Sequence, residues 1–368
     1  MNRIYPQLIV NTDKLKHNIS EITARTKAAG ISTAAVIKGF SAFPPLCKIL
    51  RENGADQLAT SRLEQIEKNI VAGVPGPYLL LRIPMMSELP DAARLADYSL
   101  HSDLSVLKAF DEECLRQGVR RNVIMMADLG DLREGFWDRG EFLRACLQTE
   151  NEMDSLILAG IGTNLGCYGS IRPTTEKMQE LVNLARSVES AIGRKLEIVS
   201  GGATSSYLLL HTGGMPPGIN HLRIGEAAEN PLILSEVWQI PGLDEYLDPD
   251  VFHLKAEIIE FREKPSYPVG EIFIDAFGNT PSYEDRGIRK RALLGVGKAD
   301  LGTALGIVPL ISGIEIIGGS SDHTILDVTD CPKELHTGDV LEFRLDYAAI
   351  LQLSMRADID VRVTYTPE

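Results

Sequence analysis

Short apolar runs rich in β-branched residues alternate with longer amphipathic segments between about residue 30 and about residue 225. This alternation is typical of repeated βα units. Eight runs occur over about 200 residues, the number and size expected of a (β/α)8 barrel. An open, doubly wound sheet is the competing architecture, but no GxGxxG motif follows the first run. The runs are Thr33–Ile37, Gln57–Ala59, Tyr78–Ile83, Tyr98–Leu100, Val123–Ala127, Leu156–Ile161, Leu196–Val199 and His221–Ile224.

The pattern changes after the eighth run. Gly225 to Trp238 is predicted to be a last helix, and the proline-rich, acidic IPGLDEYLDPD is predicted to be a linker. From Val251 to Tyr365, Val and Ile alternate with polar residues, which predicts a small antiparallel β-domain. We therefore assign the barrel to residues 11–238. The β-domain is assigned to residues 245–368, with a short N-terminal strand from residues 1–10.

Composition excludes several classes of function. The formal net charge is −14, and the densest basic cluster, Arg286 to Arg291, is predicted to be a short solvated loop, so nucleic-acid binding is not expected. No stretch approaches the roughly 20 apolar residues of a membrane helix, and the first residues do not resemble a signal peptide. Five scattered cysteines without a CxxC pair favour a reducing cytoplasm over disulfides or a zinc site. The histidines other than His323 show no metal-binding spacing and are predicted to be surface or core residues.

Residues suited to chemistry follow the predicted strands, where a barrel places its active site. Lys38 follows the first run, and Arg223 and Gly225 close the eighth. The other strand ends carry MADLGDLREG with Asp128, Asp131 and Arg133, then GTNLGCYG with Thr163 and Asn164, then SGGATSSY with Ser205 and Ser206. Backbone N–H groups and hydroxyls of such a loop bind anions. Lys38 alone is equally typical of a snorkelling lysine, and each glycine loop of a plain turn. Together they predict a pyridoxal-phosphate site, with Lys38 as the Schiff-base lysine.

Longer motifs carry a family resemblance. MADLGDLREGFW, GTNLGCYG, GGATSS, LRIGEA, DAFGNTPSYEDRGIRKRALL and GGSSDHTILDVTD occur in this order. The chain resembles the alanine racemase-like pyridoxal-phosphate enzymes, and within them the ornithine racemase branch. The resemblance implies an amino-acid racemase, built as a barrel plus a β-domain. It also implies a head-to-tail homodimer in which each site combines one barrel with the partner's β-domain.

The resemblance assigns roles to individual residues. Lys38 would carry the cofactor, and Arg223 would face the pyridine nitrogen. Asn164 would lie against the ring, and Arg133 near the substrate carboxylate, a role suited to a bidentate guanidinium. The expected phosphate contacts are Ser205, Ser206, Gly225 and Tyr347.

Two departures from alanine racemase affect the predicted mechanism. The tyrosine that serves the second face of Cα is absent, and alignment places Asp275 there, with Asp322 and His323 as neighbouring candidates. Asp275 would need a pKa raised by burial, whereas histidines exchange protons near neutral pH without such help. A structural role for these residues is the alternative. Ala42 replaces a second tyrosine, four residues after the lysine, which favours the ornithine-type branch.

The expected substrate is therefore ornithine or another basic amino acid. Asp128, Asp131 and Glu134 are available to bind its cationic side chain. Racemisation of alanine or another small neutral amino acid is the first alternative, and a non-catalytic pyridoxal-phosphate homeostasis protein is another. A decarboxylase or aldolase is disfavoured, since SSDH lacks the cysteine motif usual in such decarboxylases.

Overall fold

The computed structural model describes residues 5–237, 239–356 and 360–364. Contacts divide these residues into two units. The barrel unit spans Lys14–Asp248, and the sheet unit combines the segment ending at Asp13 with the segment that starts at Pro249.

The barrel unit contains eight parallel strands that close in the order β2 to β9, which confirms the predicted (β/α)8 barrel. Each predicted run overlaps one strand. The strands are β2 Ser32–Val36, β3 Gln57–Thr60, β4 Tyr78–Leu80, β5 Tyr98–His101, β6 Arg121–Met126, β7 Leu156–Gly162, β8 Ile198–Ser200 and β9 His221–Ile224. Inside the barrel, buried apolar side chains from successive strands form the core, and they include Ala34, Ala59, Leu79, Leu100, Ile124 and Ile198.

Helices follow the strands as the amphipathic segments predict. They are α1 Thr12–Ala28, α2 Pro44–Glu52, α3 Leu63–Val71, α4 Leu89–Leu95, α5 Leu104–Gln117, α6 Arg139–Glu152, α7 Thr175–Ile192, α8 Thr204–His211, α9 Glu226–Glu229 and α10 Pro231–Val237. Asp103 caps α5, because its side chain accepts hydrogen bonds from the N–H groups of Ser105 and Val106. No helix among the described residues is long and apolar enough to cross a membrane.

The prediction of one last helix over residues 225–238 is wrong. The segment forms two short helices, α9 and α10, separated by Asn230 with φ −151° and ψ 65°. Pro231 follows Asn230, and a proline disfavours the helical conformation of the residue before it. Trp238 lies outside the described residues.

The sheet unit is mostly antiparallel, as predicted. Its strands are β1 Gln7–Asn11, β10 Phe252–Pro265, β11 Ile288–Leu294, β12 Ile307–Pro309, β13 Glu315–Gly319, β14 Thr324–Asp327, β15 Val340–Leu345 and β16 Asp360–Thr364. Six strands pair in the order β12-β15-β10-β11-β14-β13. The N-terminal strand β1 pairs antiparallel with β10 and parallel with β16. Two helices also occur here, α11 Lys298–Leu301 and α12 Tyr347–Met355, and neither was predicted.

The basic cluster from residue 286 to 291 is not the predicted solvated loop. It runs into strand β11, and two of its arginines, Arg286 and Arg289, form ion pairs with acidic residues of the same sheet unit. Arg289 donates to Asp327 at 2.7 Å and to Asp330 at 2.6 Å, and Arg286 donates to Glu315 at 2.8 Å. The positive charges of these two arginines are thus compensated within the sheet unit.

Candidate functional site

The carboxyl ends of the barrel strands meet at one face, and Lys38 lies there, two residues after β2. The N–H of Ile37 still donates to the carbonyl of Ala59 on β3 at 2.9 Å, so the chain leaves the barrel only at Lys38. The backbone then turns sharply, because the N–H of Ser41 donates to the Lys38 carbonyl at 3.1 Å. The half-buried Lys38 is therefore carried by a tight turn at the rim of the barrel.

Arg223 holds a positive charge inside the same end of the barrel. Its side chain is on β9 and is 3% exposed. One guanidinium nitrogen donates to Oγ of Ser200 on β8, and another donates to the carbonyl of Thr163 at 2.8 Å. Burial lowers the pKa of Arg223 to about 10, while the charge of nearby Glu134 opposes this shift. Arg223 is therefore still protonated at neutral pH.

Ser200 connects Arg223 to a buried histidine. Because arginine only donates, Ser200 Oγ accepts from it and uses its own proton to donate to Nδ1 of His221 at 2.8 Å. His221 then carries its proton on Nε2, which faces Oε1 of Gln57 at 3.4 Å. Burial and the charge of Arg223 lower the pKa of His221 to about 3, so the imidazole is neutral. This chain of hydrogen bonds fixes the guanidinium with uncharged partners.

His221 and Ser200 are functional candidates that sequence reasoning missed. His221 was predicted to be a surface or core residue, and it is indeed fully buried. The signal was its position two residues before Arg223, because alternate residues of a strand point to the same side.

Two glycine-containing loops lie where the anion site is predicted. Gly202 has φ +119°, and a Cβ there would lie 2.6 Å from Oγ of Ser206, so glycine lets that hydroxyl approach the backbone. Thr204, which was not predicted, connects this loop to the next one. Its Oγ1 accepts from the N–H of Gly225 at 3.3 Å. Ser205 donates its proton to the carbonyl of Leu165 at 2.8 Å.

Two buried polar atoms of this site have no hydrogen-bond partner among the described residues. They are Oγ of Ser206 and Nδ2 of Asn164. A buried polar group without a partner is costly, so each such atom calls for an explanation. A hydroxyl and an amide N–H₂ both donate to oxygen acceptors. The two atoms fit a bound ligand that carries acceptor oxygens, such as a phosphate or a ring hydroxyl.

The loop after β6 contains the acidic candidates for a cationic substrate, and two of them already bind the backbone. Asp128 accepts from the N–H groups of Gly130 and Leu132 at 2.8 and 3.2 Å. Asp131 is buried and accepts from two N–H groups of the loop after β7, at 3.0 and 3.1 Å. These two carboxylates hold the loops in place, and Glu134 is the remaining candidate of the three.

Arg133, the predicted carboxylate-binding residue, is exposed and already binds a carboxylate. Its guanidinium contacts both oxygens of Glu134, with one bond at 2.7 Å and a second, shorter one. This bond raises the pKa of Arg133. Both residues influence the pKa of Arg223, so the pair lies at the same end of the barrel.

The remaining predicted site residues belong to the sheet unit. Asp275 is exposed, and its Oδ1 accepts from the N–H groups of Asn279 and Phe277 at 2.8 and 2.9 Å. These bonds lower the pKa of Asp275, which is opposite to what a proton donor near neutral pH needs. Asp322 and His323 lie in the exposed turn between β13 and β14. Tyr347 is the first residue of α12, whose N-cap is Asp346.

The sequence of this chain resembles that of a known protein family. The sequence profile described as "Alanine racemase, N-terminal domain" matches residues 10–228. The chain belongs to the alanine racemase family. This confirms the predicted family.

Two curated relatives are similar to this protein over nearly the whole chain. An ornithine racemase of Acetoanaerobium sticklandii is 37% identical over 349 residues, covering 95% of this chain and 97% of the relative. A lysine racemase of Thermotoga maritima is 38% identical over 351 residues, covering 95% and 96%. The crystal structure of alanine racemase from Streptomyces lavendulae has a TM-score of 0.74 at 16% identity, covering 100% of this chain and 98% of that one. That structure therefore supports the fold.

Proposed function

We propose that this protein is a pyridoxal-phosphate-dependent racemase that exchanges the Cα proton of ornithine, lysine or a similar basic amino acid. The observation that carries the proposal is a protonated Arg223, held by neutral partners at the barrel end that also carries Lys38. The unpaired polar atoms of Asn164 and Ser206 at that end support a bound phosphate cofactor. The relatives named ornithine racemase and lysine racemase support the substrate class.

The residues present fit pyridoxal phosphate. Lys38 would hold it through its amine, and the N-terminus of α8 with Ser205, Ser206 and Gly225 would take the phosphate. Asn164 would donate to the ring substituent. Arg223 has no acceptor, so the ligand atom that faces it must itself be an acceptor. When bound, this cofactor supplies an electron sink for the charge that develops at Cα.

The Arg133–Glu134 pair supports a basic substrate. A substrate carboxylate offers the same bidentate geometry as Glu134, so it can replace Glu134 on the guanidinium of Arg133. Glu134 is then left without its positive partner. The side-chain ammonium of ornithine or lysine restores that partner, whereas the methyl group of alanine does not. Glu134 thereby distinguishes the two substrate classes.

Racemisation requires a proton donor on each face of Cα. Lys38 serves one face. For the other we favour His323, with Asp322 as its neighbour, over Asp275, whose lowered pKa keeps it ionised. These residues would come from the partner of a homodimer, and Tyr347 would reach the phosphate from the same β-domain. We also place the protein in the cytoplasm, where its unpaired cysteines stay reduced.

The test measures proton exchange directly. The full-length protein, loaded with pyridoxal phosphate, is incubated with each of L-ornithine, L-lysine and L-alanine in D2O. Loss of Cα–H is followed by NMR, and D-isomer by chiral chromatography. We expect exchange with both basic substrates and none in Lys38→Ala. If the protein binds the cofactor but exchanges the Cα proton of no amino acid, the proposal that it is a racemase is refuted, and a role in pyridoxal-phosphate homeostasis is favoured.

A matched variant tests the substrate class. Glu134→Gln keeps the size of the side chain but removes its charge. We expect kcat/KM for ornithine to fall by about 10- to 100-fold, since a charged hydrogen bond is lost, while that for alanine changes little. An equal fall for both substrates would exclude Glu134 as the residue that recognises the ammonium.

Mixing two inactive variants tests the shared site. If the partner supplies His323, exchange of subunits between Lys38→Ala and His323→Gln dimers restores one intact site per heterodimer. About a quarter of the wild-type activity is then expected at equal concentrations. Mixtures that stay inactive although heterodimers form would mean that the partner subunit does not supply His323.

A further inference from the structure

Glu229 is a buried carboxyl that the proposed chemistry leaves unused. It is the last residue of α9 and is 2% exposed. Its carboxyl lies against the backbone of Gly39, the residue after Lys38, so closely that a methyl group on Gly39 would overlap Oε2. That Oε2 has no hydrogen-bond partner among the described residues. No hydrogen bond therefore explains why this oxygen is buried against the turn that carries Lys38.

Two titratable groups act on the pKa of Glu229. They are Glu226 on its own helix and Lys38 after β2. Glu229 in turn acts on the thiol of Cys47 on α2. Burial raises the pKa of Glu229 to about 8; Glu226 adds to this shift and Lys38 opposes it. Burial also raises the pKa of the Cys47 thiol, so the thiol is uncharged around pH 8. Lys38 is thus the positive group that favours the ionised form of Glu229.

We propose that Glu229 is a positioning residue: its carboxyl is electrostatically coupled to the amine of Lys38, and its ionised form favours the uptake of a proton by that amine. The proposal rests on the proposed function, in which Lys38 removes the Cα proton. In that step a C–H bond breaks, an N–H bond forms on Lys38, and the nitrogen gains a positive charge. A Glu229 carboxylate offsets this charge, whereas a protonated Glu229 does not. The capacity of Lys38 to take up the proton therefore rises as Glu229 ionises.

Infrared difference spectroscopy tests the coupling without reference to turnover. The full-length protein, with and without pyridoxal phosphate, is titrated from about pH 6 to about pH 10. We expect the band of a protonated carboxylic acid that disappears with a midpoint near pH 8 and is missing in Glu229→Gln. In the cofactor-free protein, Lys38→Met should move the midpoint upward, because the positive charge that favours the carboxylate is gone. The matched control Glu226→Gln should move it downward, because a like charge is gone.

The pH profile of Cα–H exchange gives a second readout. The wild-type profile should contain an inflection near pH 8 that Glu229→Gln lacks. Absence of the protonated band, or a midpoint that Lys38→Met does not move, overturns the proposal. Because Lys38→Met and Glu226→Gln retain Glu229, the test remains decisive even if Glu229→Gln fails to fold. If Glu229 and Lys38 are coupled but no amino acid exchanges its Cα proton, the proposed function is overturned and the role of Glu229 toward Lys38 is upheld. If exchange occurs without this coupling, only the role of Glu229 is overturned.

Discussion

Replacing Glu229 by Gln should change how the stability of the folded protein depends on pH. A carboxyl with a folded pKa of about 8 and an unfolded pKa near 4.5 binds more protons folded than unfolded between these values. Its contribution to the free energy of unfolding therefore falls as the pH rises through this window. The raised pKa of Glu229 lowers the free energy of unfolding by about 2 kcal/mol at pH 6 and by about 5 kcal/mol at pH 9. Glutamine does not titrate, so wild type should lose about 3 kcal/mol relative to Glu229→Gln between these two pH values.

Urea unfolding of the cofactor-free protein, followed by circular dichroism, measures this difference. The cofactor is left out because ligand binding adds its own pH-dependent stabilisation. Glu226→Gln is the matched control: it removes the like charge that helps to raise the pKa of Glu229, so its pH-dependent loss should be smaller than that of wild type. Parallel stability curves for wild type and Glu229→Gln would show that Glu229 titrates alike in both states. The account of its burial would then be refuted.

Three further substitutions test the hydrogen bonds and ion pairs described above, each by urea unfolding. Ser200→Ala leaves one donor of the buried Arg223 without an acceptor and should cost about 1–3 kcal/mol; no loss would mean that the serine does not hold the guanidinium. Asp131→Asn keeps one acceptor oxygen for two backbone N–H groups and should also cost about 1–3 kcal/mol. Arg289→Ala removes a partner of the buried Asp327. Burial raises the pKa of Asp327, but hydrogen bonds from Arg289 and Thr329 outweigh burial and lower it. The variant should be less stable than wild type at neutral pH, and the difference should shrink below about pH 4 as Asp327 is protonated. A loss independent of pH would contradict the ion pair.

The barrel could be predicted because its signal is local and repeated. Strands of a parallel barrel are buried on both faces, so each one is a short, nearly continuous apolar run in the sequence. Eight such runs therefore predict eight strands. The boundaries depend on more. The run from Tyr78 to Ile83 forms a strand only to Leu80, since pairing with β3 and β5, rather than hydrophobicity, determines where a strand ends.

The sheet unit shows where local patterns fail. Strand β11 begins among arginines and lysines, and cross-strand acids such as Asp327 make this favourable, which no local pattern reveals. Helix α12 is apolar on most of its surface, so it lacks the periodicity of a half-exposed helix. Its N-cap, Asp346, was the one local signal available, because its side chain accepts from the N–H of Ala349 at 2.7 Å.

In the candidate site, too, some features could be predicted from the local sequence and others depend on the folded chain. Residue types and their positions at strand ends predicted Lys38, Asn164, Ser206 and Arg223 as members of one site. Which carboxylate holds a loop, and which pairs with a neighbouring side chain, follows from the folded positions of distant N–H groups. Asp131 therefore looked equivalent to Glu134 in sequence, although it binds N–H groups of Gly166 and Tyr168, more than 30 residues away.

The energetic cost of Glu229 is itself an argument for its role. A leucine of similar volume in that place would avoid a penalty of about 5 kcal/mol at high pH, a large part of the typical stability of a domain. Buried groups with strongly shifted pKa values concentrate at functional sites, and this one lies against the turn of Lys38. A purely structural carboxyl would be expected to have both oxygens hydrogen-bonded, as those of Asp131 are. The unpaired Oε2 of Glu229 thus favours a role in the proton chemistry of Lys38 over a role in folding.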